Sequence, residues 1–231
     1  VEPRWAGQVP PLRLSYSVID EYLRCPRCYY LKHVLRIPEA DHDGATLGSA
    51  AHQALEQFYR QFAEADADGQ DKPGLNRLME LGKKAFFRLA GNAAVKPEEL
   101  KRLMAQLETT FTRLHGDGDH VLEQEKHVQF AYPSGGHEHR FSAHIDRVDQ
   151  APDGRLRVID YKTGYPKKSL LEPSKDDLQM GIYALALASQ ADGCWPEGTA
   201  EYWLLSTGQR GVIDLAALKA DRIRAKIDEA V

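Results

Sequence analysis

Two aspartates and a lysine in the middle of the chain have the types and spacing of a divalent-cation site. Asp146 lies fourteen positions before Asp160, and Lys162 follows two positions later. Apolar residues flank both aspartates and a Pro-Asp-Gly turn signal at 152–154 separates them, so the segment predicts a β-hairpin. Residues two apart on a strand share a face, so Asp160 and Lys162 should leave the same side of the sheet. Asp146 can join them from the neighbouring strand.

Such a cluster could perform metal-assisted chemistry. Mg²⁺ prefers oxygen ligands and keeps several waters, so the two carboxylates and the backbone carbonyl of Tyr161 would suffice to hold it. The Lys162 ammonium could orient an attacking water, help to deprotonate it, or stabilise charge that develops on a phosphate. The alternative is an exposed salt bridge, because Asp-x-Lys triplets are common. The Ile before Asp146 and the Thr-Gly after Lys162 favour the metal site.

Further candidates lie on predicted helices and on the preceding strand. His52 ends a Gly-Ser-Ala-Ala-His run whose small residues allow close packing. A lone helical histidine can equally be a satisfied boundary residue, and imidazole suits Mn²⁺ better than Mg²⁺. Gln179 and Tyr183 are spaced i, i+4 and should project from one helix face, although an ordinary helix surface gives the same pattern. Glu125 is an acidic candidate that no second motif supports.

Periodicity predicts the elements that must position these residues. A short helix capped by Ser17 should end near Arg24, and Pro26 should start a second one. Further helices are predicted at about 46–63, 73–90, 97–115, 175–191 and 215–230, with an acidic loop at 64–71. Strands are predicted at about 120–132, 138–149, 155–162 and 200–205. This order predicts an α/β sheet with an N-terminal helical portion, and no glycine-rich phosphate loop indicates a dinucleotide fold.

Composition narrows the class of protein. The 231 residues carry a net charge of −4, so any nucleic-acid surface must be a local basic patch. Basic residues gather at Arg24, Arg27, Lys32, His33, Arg36, Lys167 and Lys168. No run is long and apolar enough to span a bilayer. Three cysteines and no visible signal peptide favour a reducing cytoplasmic compartment. Cys25 and Cys28 are expected to be structural thiols, with zinc or iron–sulfur ligation as the alternative.

Four motifs occur in an order that resembles the RecB-like branch of the PD-(D/E)xK nuclease superfamily. They are the segment Leu14–Cys25, Gly48-x-x-x-His52, the Ile145–Asp149 and Asp160–Gly164 pair, and Gln179-x-x-x-Tyr183. The first motif is most similar to nuclease domains at the C-terminus of UvrD-type helicases. The resemblance implies a restriction-endonuclease-like central mixed sheet flanked by helices. It covers the whole chain as one domain, with a helical portion at about 14–115 and the catalytic sheet at about 119–231.

The resemblance also implies roles for individual residues. His52, Asp146, Asp160 and the Tyr161 carbonyl would hold Mg²⁺ or Mn²⁺, and Lys162 would be the catalytic lysine. Gln179 and Tyr183 would shape the site and contact nucleic acid. Some relatives carry a four-cysteine iron–sulfur cluster with three later cysteines, but this chain has only Cys194 in that region, so no cluster is expected.

The function implied is metal-dependent hydrolysis of DNA. It is an exonuclease-like activity on single strands or ends in repair or recombination, and the implied partner is a helicase, either as a neighbouring domain or as a separate protein. The alternative is a catalytically weak nuclease-fold module that binds DNA or docks a helicase.

Overall fold

The structure, a computed structural model, describes residues 11–37, 44–91, 96–116 and 120–231. Helices in the first half are α1 (Tyr16–Arg24), α2 (Pro26–Tyr29) with a following short π-helix (Tyr30–Val34), α3 (Gly44–Ala67), α4 (Leu75–Ala90) and α5 (Pro97–Arg113). The second half contributes α6 (Lys168–Leu171), α7 (Leu178–Ser189) and α8 (Ala220–Ala230), with a 3₁₀ turn at Leu215–Ala217. None of these helices is long and apolar enough to cross a bilayer.

One mixed sheet of six strands forms the centre. The strands are β1 (Arg13–Leu14), β2 (His120–Ser134), β3 (His137–Gln150), β4 (Leu156–Lys162), β5 (Gly198–Leu204) and β6 (Gln209–Asp214). The order is β1-β3-β4-β5-β6, with β2 paired along β3. The β3–β4 and β5–β6 pairs are antiparallel, whereas β4–β5 is parallel because α6 and α7 cross over between them. The predicted α/β fold with a central mixed sheet flanked by helices is therefore confirmed.

The two faces of the sheet are covered by different helices. On β4 and β5, Ile159, Tyr161 and Trp203 belong to an apolar cluster built with α3, α4 and α5. Val158 and Tyr202 belong to a second cluster built with α7 and α8. Because side chains alternate along a strand, Asp160 and Lys162 leave the face that α7 covers.

A buried cation lies on the α3 side of the sheet. The guanidinium of Arg147 stacks over the Tyr59 ring at 3.8 Å and over the Trp203 ring at 4.4 Å. Its Nη2 lies 2.9 Å from a carboxylate oxygen of Asp149, which is also fully buried. Two aromatic faces and a carboxylate together offset the cost of removing this charge from water.

Several predicted boundaries are wrong. Ser15, not Ser17, caps α1, because its hydroxyl accepts from the Val18 amide. The first half of the predicted acidic loop continues α3 to Ala67, since alanines and acids alternate there without a breaker. Helix α4 begins at Leu75 after a Gly74 cap, so the proline at 73 precedes it.

The C-terminal part also differs from the prediction. Strand β6 was missed, and α8 begins at Ala220 instead of 215, because residues 209–214 alternate between exposed and buried and pair with β5. Helix α7 is shorter than predicted because Asp177 caps it.

The cysteine prediction is wrong for one pair. Cys25 and Cys28 form a disulfide. Cys25 caps α2, and the first turn of that helix brings the two Cα atoms to 5.2 Å, within disulfide reach. Cys194 is a free, exposed thiol.

Candidate active site

Asp160 and Lys162 end β4 in a closed hydrogen-bond network with α7. The Lys162 Nζ lies 2.8 Å from Asp160 Oδ2 and donates to Gln179 Oε1 at 2.9 Å. The other oxygen of Asp160 accepts from Gln179 Nε2 at 2.5 Å and from the Tyr183 hydroxyl at 2.8 Å. The i, i+4 spacing on α7 places the amide and the phenol side by side, so both carboxylate oxygens and the ammonium have fixed positions.

Asp146 and His52 form a second cluster next to the first. One oxygen of Asp146 accepts from the Tyr161 backbone amide at 2.6 Å, which ties β3 to β4 beyond their last paired residues. The other oxygen lies 3.2 Å from His52 Nδ1. The His52 Nε2 lies 3.2 Å from the Tyr161 carbonyl oxygen. An ionised Asp146 and the Tyr161 carbonyl are both acceptors, so an imidazolium, which donates from both ring nitrogens, satisfies both contacts.

Glu125 completes this cluster from β2. The oxygen and nitrogen ligand atoms of His52, Glu125 and Asp146 all lie within 4.8 Å of one another. Glu125 has a φ of 47°, a left-handed conformation inside a strand, and its second oxygen lies 2.6 Å from His144 Nε2. A strained backbone at a cluster of charged groups is typical of functional sites.

The pKa values of Glu125, Asp160 and His52 reflect the proximity of several carboxylates. Burial and the charge of Asp146 raise the pKa of Glu125 to about 7. Burial and Asp146 likewise raise the pKa of Asp160 to about 6, although Lys162 opposes them. Burial alone would lower the pKa of His52, but the hydrogen bond to Asp146 and the surrounding carboxylates raise it to about 9. A cation that replaced the histidine proton would relieve the same repulsion.

The cluster lies in an open cleft that substrate could reach. The cleft has a volume of about 630 Å³ and is lined by residues of α3, β2 and β3. The small residues before His52 allow α3 to approach the sheet: Ala51 is fully buried, and a Cβ on Gly48 would lie 3.4 Å from Thr163 Oγ1.

The structure places all seven predicted site residues in these two adjoining clusters, and their roles remain predictions. His52, Asp146 and the Tyr161 carbonyl face one another, whereas Asp160, Lys162, Gln179 and Tyr183 form the network with α7. Within the described residues, the set of mutually close ligand atoms does not include an Asp160 oxygen. It includes instead Glu125, which the sequence offered without support because only the β2–β3 pairing brings it opposite Asp146.

Comparisons with known proteins bear on the family and the fold of the chain. A family model described as "PD-(D/E)XK nuclease superfamily" matches residues 13–231. The chain is 30% identical over 167 residues to a subunit of the ATP-dependent helicase/deoxyribonuclease of Streptococcus equi subsp. zooepidemicus, an alignment that covers 71% of this chain and 15% of that protein. It is 24% identical over 209 residues to the corresponding helicase/deoxyribonuclease protein of Clostridium perfringens, covering 78% and 18%. The chain thus spans less than a fifth of the length of these two curated relatives.

A solved structure shares the fold. It is that of a Eubacterium rectale protein provisionally named an exonuclease, and it aligns with a TM-score of 0.53 at 10% sequence identity. The alignment covers 94% of this chain and 77% of that one.

Proposed function

We propose that this chain, which belongs to the PD-(D/E)XK nuclease superfamily, is a divalent-metal-dependent deoxyribonuclease that hydrolyses phosphodiester bonds. One observation carries the proposal. The ligand atoms of His52, Glu125 and Asp146 lie within 4.8 Å of one another, and Asp160 and Lys162 stand beside them in a fixed network. A cation position next to a held ammonium suits hydrolysis of a phosphate diester, because both positive charges can stabilise the developing negative charge.

The residues present fit a hard dication. Three of the donors are oxygens, from two carboxylates and the Tyr161 carbonyl, which suit Mg²⁺ or Mn²⁺, and the His52 nitrogen suits Mn²⁺ in particular. Asp160 is adjacent and could contribute an oxygen if Lys162 turned toward substrate. Burial and the neighbouring Asp146 raise the pKa of Glu125 and of Asp160, so a bound dication would offset the repulsion between these carboxylates. When bound, the metal would polarise the phosphate and lower the pKa of water.

The chain's own side chains have separate tasks in this proposal. Gln179 bridges Asp160 and Lys162, because its Nε2 donates to the first and its Oε1 accepts from the second. Tyr183 holds Asp160 through a second hydrogen bond. Lys162 is thereby directed to a fixed point, where its charge would stabilise a non-bridging phosphate oxygen in the transition state.

The biological setting is part of the proposal. The names of the helicase/deoxyribonuclease relatives favour a nuclease domain within a longer helicase–nuclease. In this proposal it acts on single strands or DNA ends in repair or recombination in the cytoplasm. The helicase would be part of the same chain or a separate protein bound to it.

Cleavage of labelled single-stranded DNA in Mg²⁺ and in Mn²⁺ tests the proposal. Asp160→Ala and Lys162→Ala should abolish cleavage with circular dichroism unchanged, because neither side chain belongs to an apolar cluster. Lys84→Ala, an exposed lysine on α4, should cut like the unmodified protein. Wild-type cleavage by both site variants would refute the assignment. Binding of DNA without cleavage in either metal would establish the alternative, a nuclease-fold module that only holds DNA.

A further inference from the structure

Tyr165 is a large aromatic residue that the active-site network does not use. It lies three residues beyond Lys162, and its side chain is 85% exposed. Three residues of extended chain span at most about 10 Å, so the Cα atoms of Tyr165 and Lys162 lie within about that distance of each other. A single exposed aromatic residue is ordinary on protein surfaces. Tyr165 is of interest because of the ordered backbone, the pocket and the positive charges around it.

The backbone that carries Tyr165 is held rigidly. The carbonyl of Lys162 accepts from the Leu205 amide at 3.0 Å, and the carbonyl of Thr163 accepts from Gln106 Nε2 at 3.0 Å. The carbonyl of Gly164 accepts from the Ser206 hydroxyl at 3.2 Å. Three successive carbonyls are therefore fixed by the turn that follows β5 and by α5. Because this backbone is already ordered, the Tyr165 ring loses little conformational freedom when it stacks on a flat partner.

A pocket opens beside the ring. It has a volume of about 220 Å³ and lies between α5 and the 163–165 segment, with Ser206 at one wall. Its lining mixes apolar and polar groups, including Ala105 and Thr109 of α5. It is separate from the cleft that contains His52, because none of the residues that line it also lines that cleft.

Positive charge borders the same pocket. Arg102 contributes to its lining, and Lys167 follows Tyr165 by two residues. Both are exposed, and neither forms an ion pair with any residue in the described part of the chain. In a protein of net charge −4, unneutralised cations beside an exposed ring are the combination that single-stranded nucleic acids bind.

We propose that this pocket is a base-stacking subsite for an unpaired nucleotide near the scissile phosphate of a single-stranded substrate. The inference rests on the proposed nuclease function. Tyr165 stacks on the base, and Arg102 and Lys167 contact the flanking phosphates. Bases inside a duplex are already stacked on each other, so the subsite discriminates in favour of single strands and frayed ends.

Fluorescence anisotropy with a labelled single-stranded oligonucleotide and its matched duplex, in EDTA so that no cleavage occurs, tests the subsite. Tyr165→Ala should weaken single-strand binding by about 5- to 100-fold, since one stacked base contributes a factor of this size. Tyr165→Phe keeps the ring and should bind within about twofold of the unmodified protein. Duplex binding should respond less to both changes.

A second arm locates the base. Oligonucleotides with one abasic position, moved stepwise from the end, should bind the unmodified protein weakly at one position only. Tyr165→Ala should show no such position. Equal single-strand affinity for Tyr165→Ala and the unmodified protein overturns the subsite, as does an absence of single-strand binding. A protein that shows the predicted binding pattern but never cuts DNA in Mg²⁺ or Mn²⁺ retains the subsite and loses the proposed function instead.

Discussion

Replacement of Glu125 by glutamine should make the metal-free protein more stable and the enzyme inactive. The pKa of Glu125 is raised from 4.5 to about 7 by burial and by Asp146. A tenfold change in an ionisation constant corresponds to about 1.4 kcal/mol, so at neutral pH the carboxyl group costs the fold up to about 3 kcal/mol. The side chain is 21% exposed, and water in the cleft screens the charges, which reduces the expected gain to about 1–2 kcal/mol.

Two measurements check this expectation. Thermal unfolding in EDTA should show Glu125→Gln melting about 2–6 °C above the unmodified protein, the shift expected for a chain of this length. Titration with Mn²⁺ should show weaker binding. Removing a residue that only hydrogen-bonds to a metal ligand typically weakens metal binding by about 10- to 100-fold. Removing a ligand itself should weaken metal binding at least as much. DNA cleavage should fall with the metal affinity.

Glu123 on the same strand provides the matched control. Its side chain is 50% exposed and pairs with Lys126 at the surface, so Glu123→Gln should change stability by less than about 1 kcal/mol and leave Mn²⁺ binding intact. Two results would refute the reasoning: a Glu125→Gln protein that melts below the unmodified one, or one that binds Mn²⁺ and cuts DNA normally. The first result would mean that the charge of Glu125 does not destabilise the metal-free fold, and the second that Glu125 is not a ligand of the metal.

Three further outcomes are expected. In EDTA, the free energy of unfolding should fall as pH rises from about 6.5 to about 9. The reason is that the raised pKa of His52 stabilises the fold below 6.5, and this contribution is lost as the ring deprotonates. Denaturant titrations at several pH values measure the free energy of unfolding, and Mn²⁺ should reverse the loss. Tyr183→Phe removes a buried hydrogen bond to Asp160 and should lower stability by about 1–2 kcal/mol, and cleavage assays should show a lower rate. Gly211→Ala should destabilise by about 1–3 kcal/mol or more in thermal unfolding, because the new Cβ would collide with the Leu170 carbonyl oxygen. Gly74→Ala meets no atom within 4 Å and should cost only the loss of a glycine N-cap, less than about 1 kcal/mol.

The sequence predicted the centre of the fold well because the informative residues there are local. Asp146 and Asp160 lie on strands joined by a short turn, so their proximity follows from the turn and from the two-residue repeat of a strand. The i, i+4 spacing of Gln179 and Tyr183 similarly required only a helix. The order of the motifs then supplied the contacts between distant elements.

The parts that sequence reasoning missed depend on tertiary pairing. Glu125 is one acid among many until β2 pairs with β3 and places it opposite Asp146. Strand β6 has only six residues, and its alternation is too short to outweigh the helical pattern that follows it. The two-residue β1 exists only because it pairs with β3, and no local preference marks it.

The buried guanidinium of Arg147 has a consequence for how the chain finds its alignment. Asp146 faces the cleft, while its neighbour Arg147 is buried against the rings of Tyr59 and Trp203. If β3 slid by one position against its neighbours, a slip in one direction would bring the Asp146 carboxylate to those rings, and a slip in the other direction would bring the Arg147 guanidinium into the acidic cleft. Misaligned intermediates would therefore carry an electrostatic penalty as well as an apolar one, so the buried Arg147 helps to place the acidic residues at the correct edge of the sheet.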